Sequence, residues 1–154
     1  MPTSEPKKEP LYADRTSERR YESAFAMVDD YLARFAERSG LVVPALDASG
    51  YTYIKRGSTG TAVNVLEDHG MLLLLAPVMP VPETRREEFY RRLLELSFLA
   101  TSDAAFAIDE AKNEVYVRAL RRLSGLDYEE LEDLIDTVGS TADEWDDALK
   151  KEFG

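Results

Sequence analysis

The sequence predicts an α+β domain in which helices cover an antiparallel sheet. Two long segments, one near each end of the chain, carry apolar residues at the helical period. Between them lie short β-prone segments joined by loops of a few residues, too short for the crossover that parallel strands require. The expected order of elements is α-β-β-β-α-β-β-α. Residues 17–154 are expected to form a single domain, since this length is typical of one.

The predicted first helix follows a tail. Residues 1–16 contain three prolines and no apolar period, so they are expected to form a mobile tail, and they lack the apolar stretch of a secretory signal. The helix is predicted over residues 17–38, with Gly40 suited to the left-handed conformation that ends helices. Its apolar stripe has alternating spacings of four and three residues and consists of Tyr21, Phe25, Val28, Leu32 and Phe35.

Three strands are predicted next, at residues 51–56, 61–67 and 71–78, because β-prone residues there are separated by turns rich in Gly, Asp and Ser. The third strand contains four consecutive leucines, Leu72–Leu75. Such a continuous apolar run is typical of a strand covered on both faces.

The second half of the sequence predicts a helix, a hairpin and a last helix. Thr84 and Glu87 form a capping-box pair that opens the second helix, which is expected to reach Ala100. Residues 104–109 and 114–120 are β-prone and form the hairpin. The last helix begins near Asp127 and has a long apolar stripe: Leu131, Leu134, Ile135, Val138, Ala142, Trp145, Leu149 and Phe153.

Composition excludes several classes of function. The chain has no cysteine and one histidine, which argues against a disulfide framework, a thiolate metal site or a histidine-relayed triad. Its 30 acidic and 19 basic residues give a net charge of −11, which repels nucleic acid and anionic lipid. The longest apolar run, residues 71–81, has about half of the roughly 20 residues that a membrane helix needs. We therefore expect a cytoplasmic protein with neither nucleic-acid nor membrane partners.

No motif predicts catalysis. His69 lies in a predicted turn without a partner motif, and the serines lack the strained elbow of a nucleophile. The segment Gly57–Gly60 contains no lysine, so we interpret it as a hairpin loop and not as a phosphate-binding loop. The sequence therefore predicts no catalytic residue, no cofactor and no metal.

Two charged surfaces are expected to be solvated. Eleven acidic residues follow residue 126, spread along the outer face of the last helix, and docking of a basic partner there is the alternative. The second helix carries a basic patch of Arg85, Arg86, Arg91 and Arg92. Neighbouring glutamates are expected to neutralise this patch, and nucleic-acid binding is disfavoured by the net charge.

The middle of the chain contains more apolar residues than one buried stripe requires. Such an excess often marks a subunit or partner interface, although an ordinary core is the alternative. The residues that we predict to form this surface are Met79, Val81, Phe89, Tyr90, Leu93, Leu94, Leu96 and Phe98.

Several short motifs resemble the type III secretion chaperone-like fold, which includes the Tir-chaperone (CesT-type) family and YbjN-type proteins. Residues 93–98 are similar to the family's leucine-rich helix end, with Ser97 in place of the usual Asn. Residues 105–109 resemble its strand motif, with Ala105 in place of Gly, and residues 141–145 its "A-x-x-W" pattern. The resemblance implies a small, acidic, cytoplasmic homodimer without enzymatic activity.

The sequence is compatible with three functions. The first is a non-catalytic module that dimerises through the second helix and binds a client polypeptide or partner through apolar surface of the sheet or a helix. The second, a YbjN-type regulatory or stress protein, would act through a folded partner. The third is a metal-dependent hydrolase that uses carboxylates.

Overall fold

The computed structural model describes residues 12–15, 17–57 and 59–154. Within them the predicted α+β class and the order α-β-β-β-α-β-β-α are confirmed, and a small two-stranded sheet precedes the first helix. The elements are β1 (Tyr12–Ala13), β2 (Arg20–Tyr21), α1 (Ala24–Ser39), β3 (Tyr51–Arg56), β4 (Thr59–Leu66), β5 (Met71–Pro80), α2 (Arg86–Leu99), β6 (Ala105–Asp109), β7 (Glu114–Arg122) and α3 (Tyr128–Phe153).

Helix α1 begins later than its apolar stripe suggests. The hydroxyl of Ser23 accepts a hydrogen bond from the backbone N–H of Ala26 at 3.1 Å and so caps the first turn. Gly40, at a φ of 73°, ends the helix as predicted. The predicted start at residue 17 is wrong because Tyr21 lies in β2, where its hydroxyl donates to Asp30 beside the helix.

A buried ion pair fixes the segment before α1. Asp14 is fully buried, and Arg34 of α1 approaches its carboxylate at 2.7 Å. The Ser17 hydroxyl donates a further hydrogen bond of 2.6 Å to the same carboxylate. The tail predicted over residues 1–16 therefore extends too far, because residues 12–13 pair with β2 and Asp14 packs into the domain. Residues 1–11 and 16 lie outside the described residues, and for them the tail stays a prediction.

The larger sheet has the strand order β3-β4-β5-β7-β6, and every neighbouring pair is antiparallel. Its register aligns buried side chains in rows across the strands. One row runs Thr52, Val63, Leu74, Ala119. Alternate residues point to opposite faces of a strand, so these rows define an inner face of the sheet.

The helices pack on this inner face. Helix α3 crosses β4, β5 and β7, and its predicted apolar stripe is buried, except that Trp145 is partly buried. Helix α1 packs beside it against β4. Leu72 and Leu74 of β5 are buried there, whereas Leu73 and Leu75 point to the other face and remain partly exposed. Strand β5 was expected to be covered on both faces, but within the single chain only its inner face is covered.

Strand β5 continues two residues beyond its predicted end. Its pairing with β4 stops at Leu75, and its pairing with β7 shifts register between Pro77 and Met79. Proline lacks an N–H group and is tolerated where a strand is paired on one side or bulged. The strand therefore passes Pro77 and ends at Pro80.

Candidate protein-binding surfaces

Helix α2 buries one side in the core. Phe89, Leu93 and Leu96 lie on that side, and the Phe89 ring meets the ring of Phe153 from α3 at a centroid distance of 5.1 Å. Their edge-to-face geometry is a favourable arrangement for two aromatic rings. This side joins α2 to the C-terminal end of α3.

The opposite side of α2 exposes a second apolar stripe. Leu94 is 74% exposed, Phe98 89% and Leu99 79%, and Tyr90 is exposed one turn before Leu94. Tyr90, Leu94 and Phe98 are four residues apart and therefore share a face. An ion pair between Arg91 and Glu95, 2.9 Å long, borders them. We call Tyr90, Leu94, Phe98 and Leu99 the α2 stripe.

The structure divides the eight residues predicted for a partner surface. It exposes three of them on the α2 stripe: Tyr90, Leu94 and Phe98. It buries the other five, which are Met79, Val81, Phe89, Leu93 and Leu96. The predicted set of surface residues did not include Leu99, which ends the helix and is as exposed as Leu94.

The start of α2 is fixed by tertiary contacts. Arg85 precedes the helix in the left-handed conformation, with a φ of 56°. Its guanidinium donates to the backbone oxygen of Glu152 at 2.8 Å, lies 4.8 Å from the centre of the Phe153 ring and pairs with Glu88 at 2.8 Å. No side chain caps this helix, so the predicted capping box of Thr84 and Glu87 is wrong.

The end of α2 is tied to the sheet by Ser97. Its hydroxyl donates to the Leu93 carbonyl at 2.8 Å and accepts from the backbone N–H of Phe106 at 3.1 Å. Phe106 belongs to β6, the outermost strand on that side. A backbone group at this sheet edge is therefore occupied by α2, and the helix is held at both ends.

The face of the sheet opposite the helices is largely apolar. Tyr51, Tyr53 and Leu120 are each about two-fifths exposed, and Leu73 and Leu75 lie between them, partly exposed. The register places Tyr53, Ala62 and Leu75 side by side on β3, β4 and β5. We call this surface the open face. Contiguous apolar surface of this kind often marks a binding site.

Strand β3 forms the other edge of the sheet. It pairs with β4 only. The Tyr51 carbonyl accepts from the backbone N–H of Asp47, at the start of the strand. An unpaired edge of this kind can accept another extended chain as an additional strand.

The arginines of the predicted basic patch have separate contacts. Arg85 and Arg91 pair with Glu88 and Glu95, as expected. Arg86 donates to the carbonyl of Pro82, and Arg92 lies over the ring of Trp145, 5.9 Å from its centre. Two of the four are thus neutralised by glutamates, and two help to pack α2.

The acidic face of α3 is partly paired. Arg38 of α1 approaches Glu132 at 3.4 Å, and Arg56 of β3 approaches Asp136 at 2.7 Å. These ion pairs tie the helix to neighbouring elements. Asp127 precedes α3 but does not cap it, because its carboxylate accepts from the backbone N–H of Arg15 at 2.9 Å.

Most of the resolved pKa shifts concern a cluster at α1. Burial raises the pKa of Tyr31, whose hydroxyl donates to the Leu126 carbonyl at 2.8 Å, and burial with the Glu132 carboxylate raises that of Tyr128 to about 12. Burial alone would raise the pKa of Asp30, but Tyr21 and two arginines outweigh it and lower that pKa. Elsewhere, hydrogen bonds from Ser49 and from backbone N–H groups lower the pKa of Asp47, and burial raises the pKa of Tyr116. Among the described residues, these shifts move no pKa toward neutrality, where a general acid or base works best.

Other potential functional residues are dispersed. His69 is exposed in a short 3-10 turn at residues 67–69, in agreement with its interpretation as a turn residue. In the described part of the chain, no group of three His, Asp or Glu side chains is placed to hold a metal ion. No helix there has both the length and the apolar character that crossing a bilayer requires.

Comparison with known proteins identifies related folds. A model of the Tir chaperone protein (CesT) family matches residues 30–146. The crystal structure of the ExsC–ExsE complex contains a chain that is 25% identical, with a TM-score of 0.68; the match covers 82% of this chain and 96% of that one. No curated protein sequence gives a significant match.

Two further solved structures share the fold. In the HopA1–SchA chaperone–effector complex the matching chain is 13% identical, with a TM-score of 0.61 and coverage of 80% of this chain and 93% of that one. In the heterodimeric ExoU–SpcU complex from the type III secretion system of Pseudomonas aeruginosa, the matching chain is 20% identical, with a TM-score of 0.59. That match covers 77% of this chain and 93% of the other.

Proposed function

Because this chain belongs to the Tir chaperone protein (CesT) family, we propose that it is a type III secretion chaperone that forms a homodimer and binds a client polypeptide. The similar solved structures are complexes of two proteins, and one of them is described as a chaperone–effector complex. The client in this proposal is an extended segment of a secreted protein or regulator.

The observation that carries the proposal is the α2 stripe. Leu94, Phe98 and Leu99 expose most of their surface although α2 is anchored at both ends. Anchoring favours a preformed surface, and removing such large apolar side chains from water stabilises an interface. A second copy offers the same stripe, which suits the self-complementary contact of a two-fold dimer.

The client is proposed to bind away from the α2 stripe, on the open face and the β3 edge. The open face supplies apolar side chains, and the edge supplies backbone hydrogen-bonding groups. Both features suit an extended polypeptide better than a small molecule, which usually enters a concave pocket.

The proposed activity is binding without catalysis, in the cytoplasm. The resolved pKa values and the dispersed carboxylates give the described residues no evident acid–base or metal chemistry. A net charge of −11 disfavours nucleic acid and anionic membranes as partners.

Analytical ultracentrifugation of the Leu94→Asp variant tests the dimer. The unmodified chain is expected to sediment with about twice the 17.4 kDa of one chain, and the variant with the mass of one. Val42→Asp is the matched control, because Val42 is 85% exposed in the loop after α1. Circular dichroism establishes that both variants are folded. A monomeric unmodified chain, or a dimeric folded Leu94→Asp variant, would contradict the assignment.

A separate experiment tests the client. The protein is purified from its native cells, and a co-purified partner is identified by mass spectrometry and digested by limited proteolysis while bound. Protection of one short segment within an otherwise digestible partner is expected. A partner that resists digestion throughout would instead favour a YbjN-type regulator that contacts a folded protein.

A further inference from the structure

The charged side chains in the middle of the open face are basic. Its charged side chains in the body of the sheet are Lys55 on β3 and Arg118 and Arg122 on β7, and all three are exposed. The only outward-facing carboxylates on the described strands, Asp109 and Glu114, sit at the far end of the β6–β7 hairpin. On a chain with net charge −11, this distribution is unexpected.

These three cations differ from other basic residues near the sheet. Arg56 pairs with Asp136, and Arg121, which points to the opposite face from Arg118, lies 3.6 Å from Asp103. Within the described residues, Lys55, Arg118 and Arg122 form no ion pair. Their charges are thus available to a binding partner.

The register sets the spacing of these charges. Arg118 and Arg122 are four residues apart on one strand, which places them about 13 Å apart along it. Lys55 lies on β3, three strands from β7, a distance of about 14 Å across the sheet. Leu73 and Leu75 lie on the strand β5, between β3 and β7. Apolar surface therefore separates the cations.

We propose that the open face selects an extended polypeptide segment that carries carboxylates among apolar side chains. The inference rests on the proposed function and adds the chemistry of the client. Apolar side chains of the segment pack on Leu73, Leu75 and Tyr53, and its Glu or Asp residues reach Arg118 and Arg122. Charge complementarity of this kind contributes to selectivity and to the rate of association.

Other occupants fit the charges less well. A second copy bound face to face about a two-fold axis would bring its own arginines toward this arginine-bearing surface, and like charges destabilise such a contact. Nucleic acid would meet only three cations on a chain with net charge −11.

Peptides that differ in two charges test the inference on the full chain. The probes are peptides of about twelve residues in which leucine alternates with threonine, a period that places all leucines on one face. Two leucines four positions apart are replaced by glutamate, glutamine or lysine. Fluorescence anisotropy, with the same dye on each peptide, gives the three dissociation constants.

The glutamate peptide is expected to bind about tenfold more tightly than the lysine peptide in dilute salt, since exposed ion pairs are individually weak. This ratio should fall toward one as salt screens the charges. The double variant Arg118→Glu/Arg122→Glu should reverse the preference. The control Arg20→Glu/Lys151→Glu makes the same charge change at exposed positions on β2 and α3 and should preserve it.

The possible results distinguish failure of the charge preference from failure of the proposed polypeptide binding. If the glutamine peptide binds but charge makes no difference, the inference fails while capture of apolar segments stands. If no peptide binds, peptide capture fails and the inference fails with it. If the Arg118→Glu/Arg122→Glu variant changes the oligomeric mass, a second copy covers this face and the inference is overturned.

Discussion

Helices α2 and α3 use their apolar residues differently. Helix α3 directs its apolar stripe into the core, and its outer face is acidic. Helix α2 buries Phe89, Leu93 and Leu96 but exposes Leu94, Phe98 and Leu99 on its other side. The core accounts for almost all apolar residues of α3, where Trp145 is partly buried, and for only part of those of α2. The difference indicates that α3 stabilises the chain, while α2 both stabilises it and offers a surface for association.

The largest expected effect separates two leucines, one from each helix. Leu131→Ala in α3 removes a fully buried side chain and should lower the free energy of unfolding by about 2–5 kcal/mol. Leu94→Ala on the α2 stripe should change it by less than about 0.5 kcal/mol. Urea unfolding at several protein concentrations, extrapolated to dilute protein, removes the contribution of association. Similar losses for both variants would refute the contrast.

The contact between the two helices gives a smaller effect. Phe153→Ala removes the ring that meets both Phe89 and Arg85. We expect a loss of about 2 kcal/mol in urea unfolding, below the roughly 3–5 kcal/mol typical of a buried phenylalanine, because the ends of helices fray. Lys151→Ala, an exposed change in the same turn, is the control. If the two variants unfold alike, the end of α3 does not hold α2.

The N-terminal ends of α1 and α2 are stabilised in different ways. Helix α1 is capped by Ser23 of its own sequence, whereas α2 is held at its start by Arg85 and the end of α3. Ser23→Ala should therefore lower the free energy of unfolding by about 1 kcal/mol, measured by thermal or urea unfolding. Ser124→Ala in an exposed loop should have little effect. Equal effects at both serines would show that the cap contributes nothing.

The smallest expected effect concerns the stability of the protein in acid and involves Asp30 of α1. The pKa of Asp30 is lowered in the folded state, so its contribution to stability is present above the ordinary aspartate pKa and is lost as pH falls through the lowered value. The difference in stability between the unmodified chain and Asp30→Asn should therefore shrink below about pH 4. Urea unfolding between pH 2 and 7 measures it, with the exposed Asp133→Asn as control. A constant difference across this range would contradict the prediction.

Most elements of the fold follow from local patterns. Strand β3 has the predicted bounds, and the other strands of the large sheet differ from prediction by at most two residues at each end. The exceptions have specific causes. Tyr21 matches the helical period of α1 but lies in β2, because its hydroxyl finds a partner in Asp30. The strands β1 and β2 have two residues each, too few to leave a pattern in the sequence.

For the α2 stripe, the sequence predicted only that α2 has an excess of apolar residues. The sequence identified a helix with more apolar residues than one buried stripe needs, but it could not assign Leu93 and Leu94 to opposite sides. The sequence predicted binding through apolar sheet or helix surface but did not predict which residues form the open face, because the run Leu72–Leu75 has the composition of a strand buried on both faces. An alternating pattern, polar toward solvent, would have indicated an open face, and this strand lacks it.

The sequence by itself determined the order of elements, the acidic character of the chain and the absence of cysteine chemistry, because periodicity, turns and composition are local or additive properties. The tertiary structure decided which side of α2 faces the core and which face of the sheet stays open. Both depend on contacts between residues far apart in the chain, such as Arg85 with Glu152 and Phe153. Burial is a property of the assembled fold, so no local pattern could assign it.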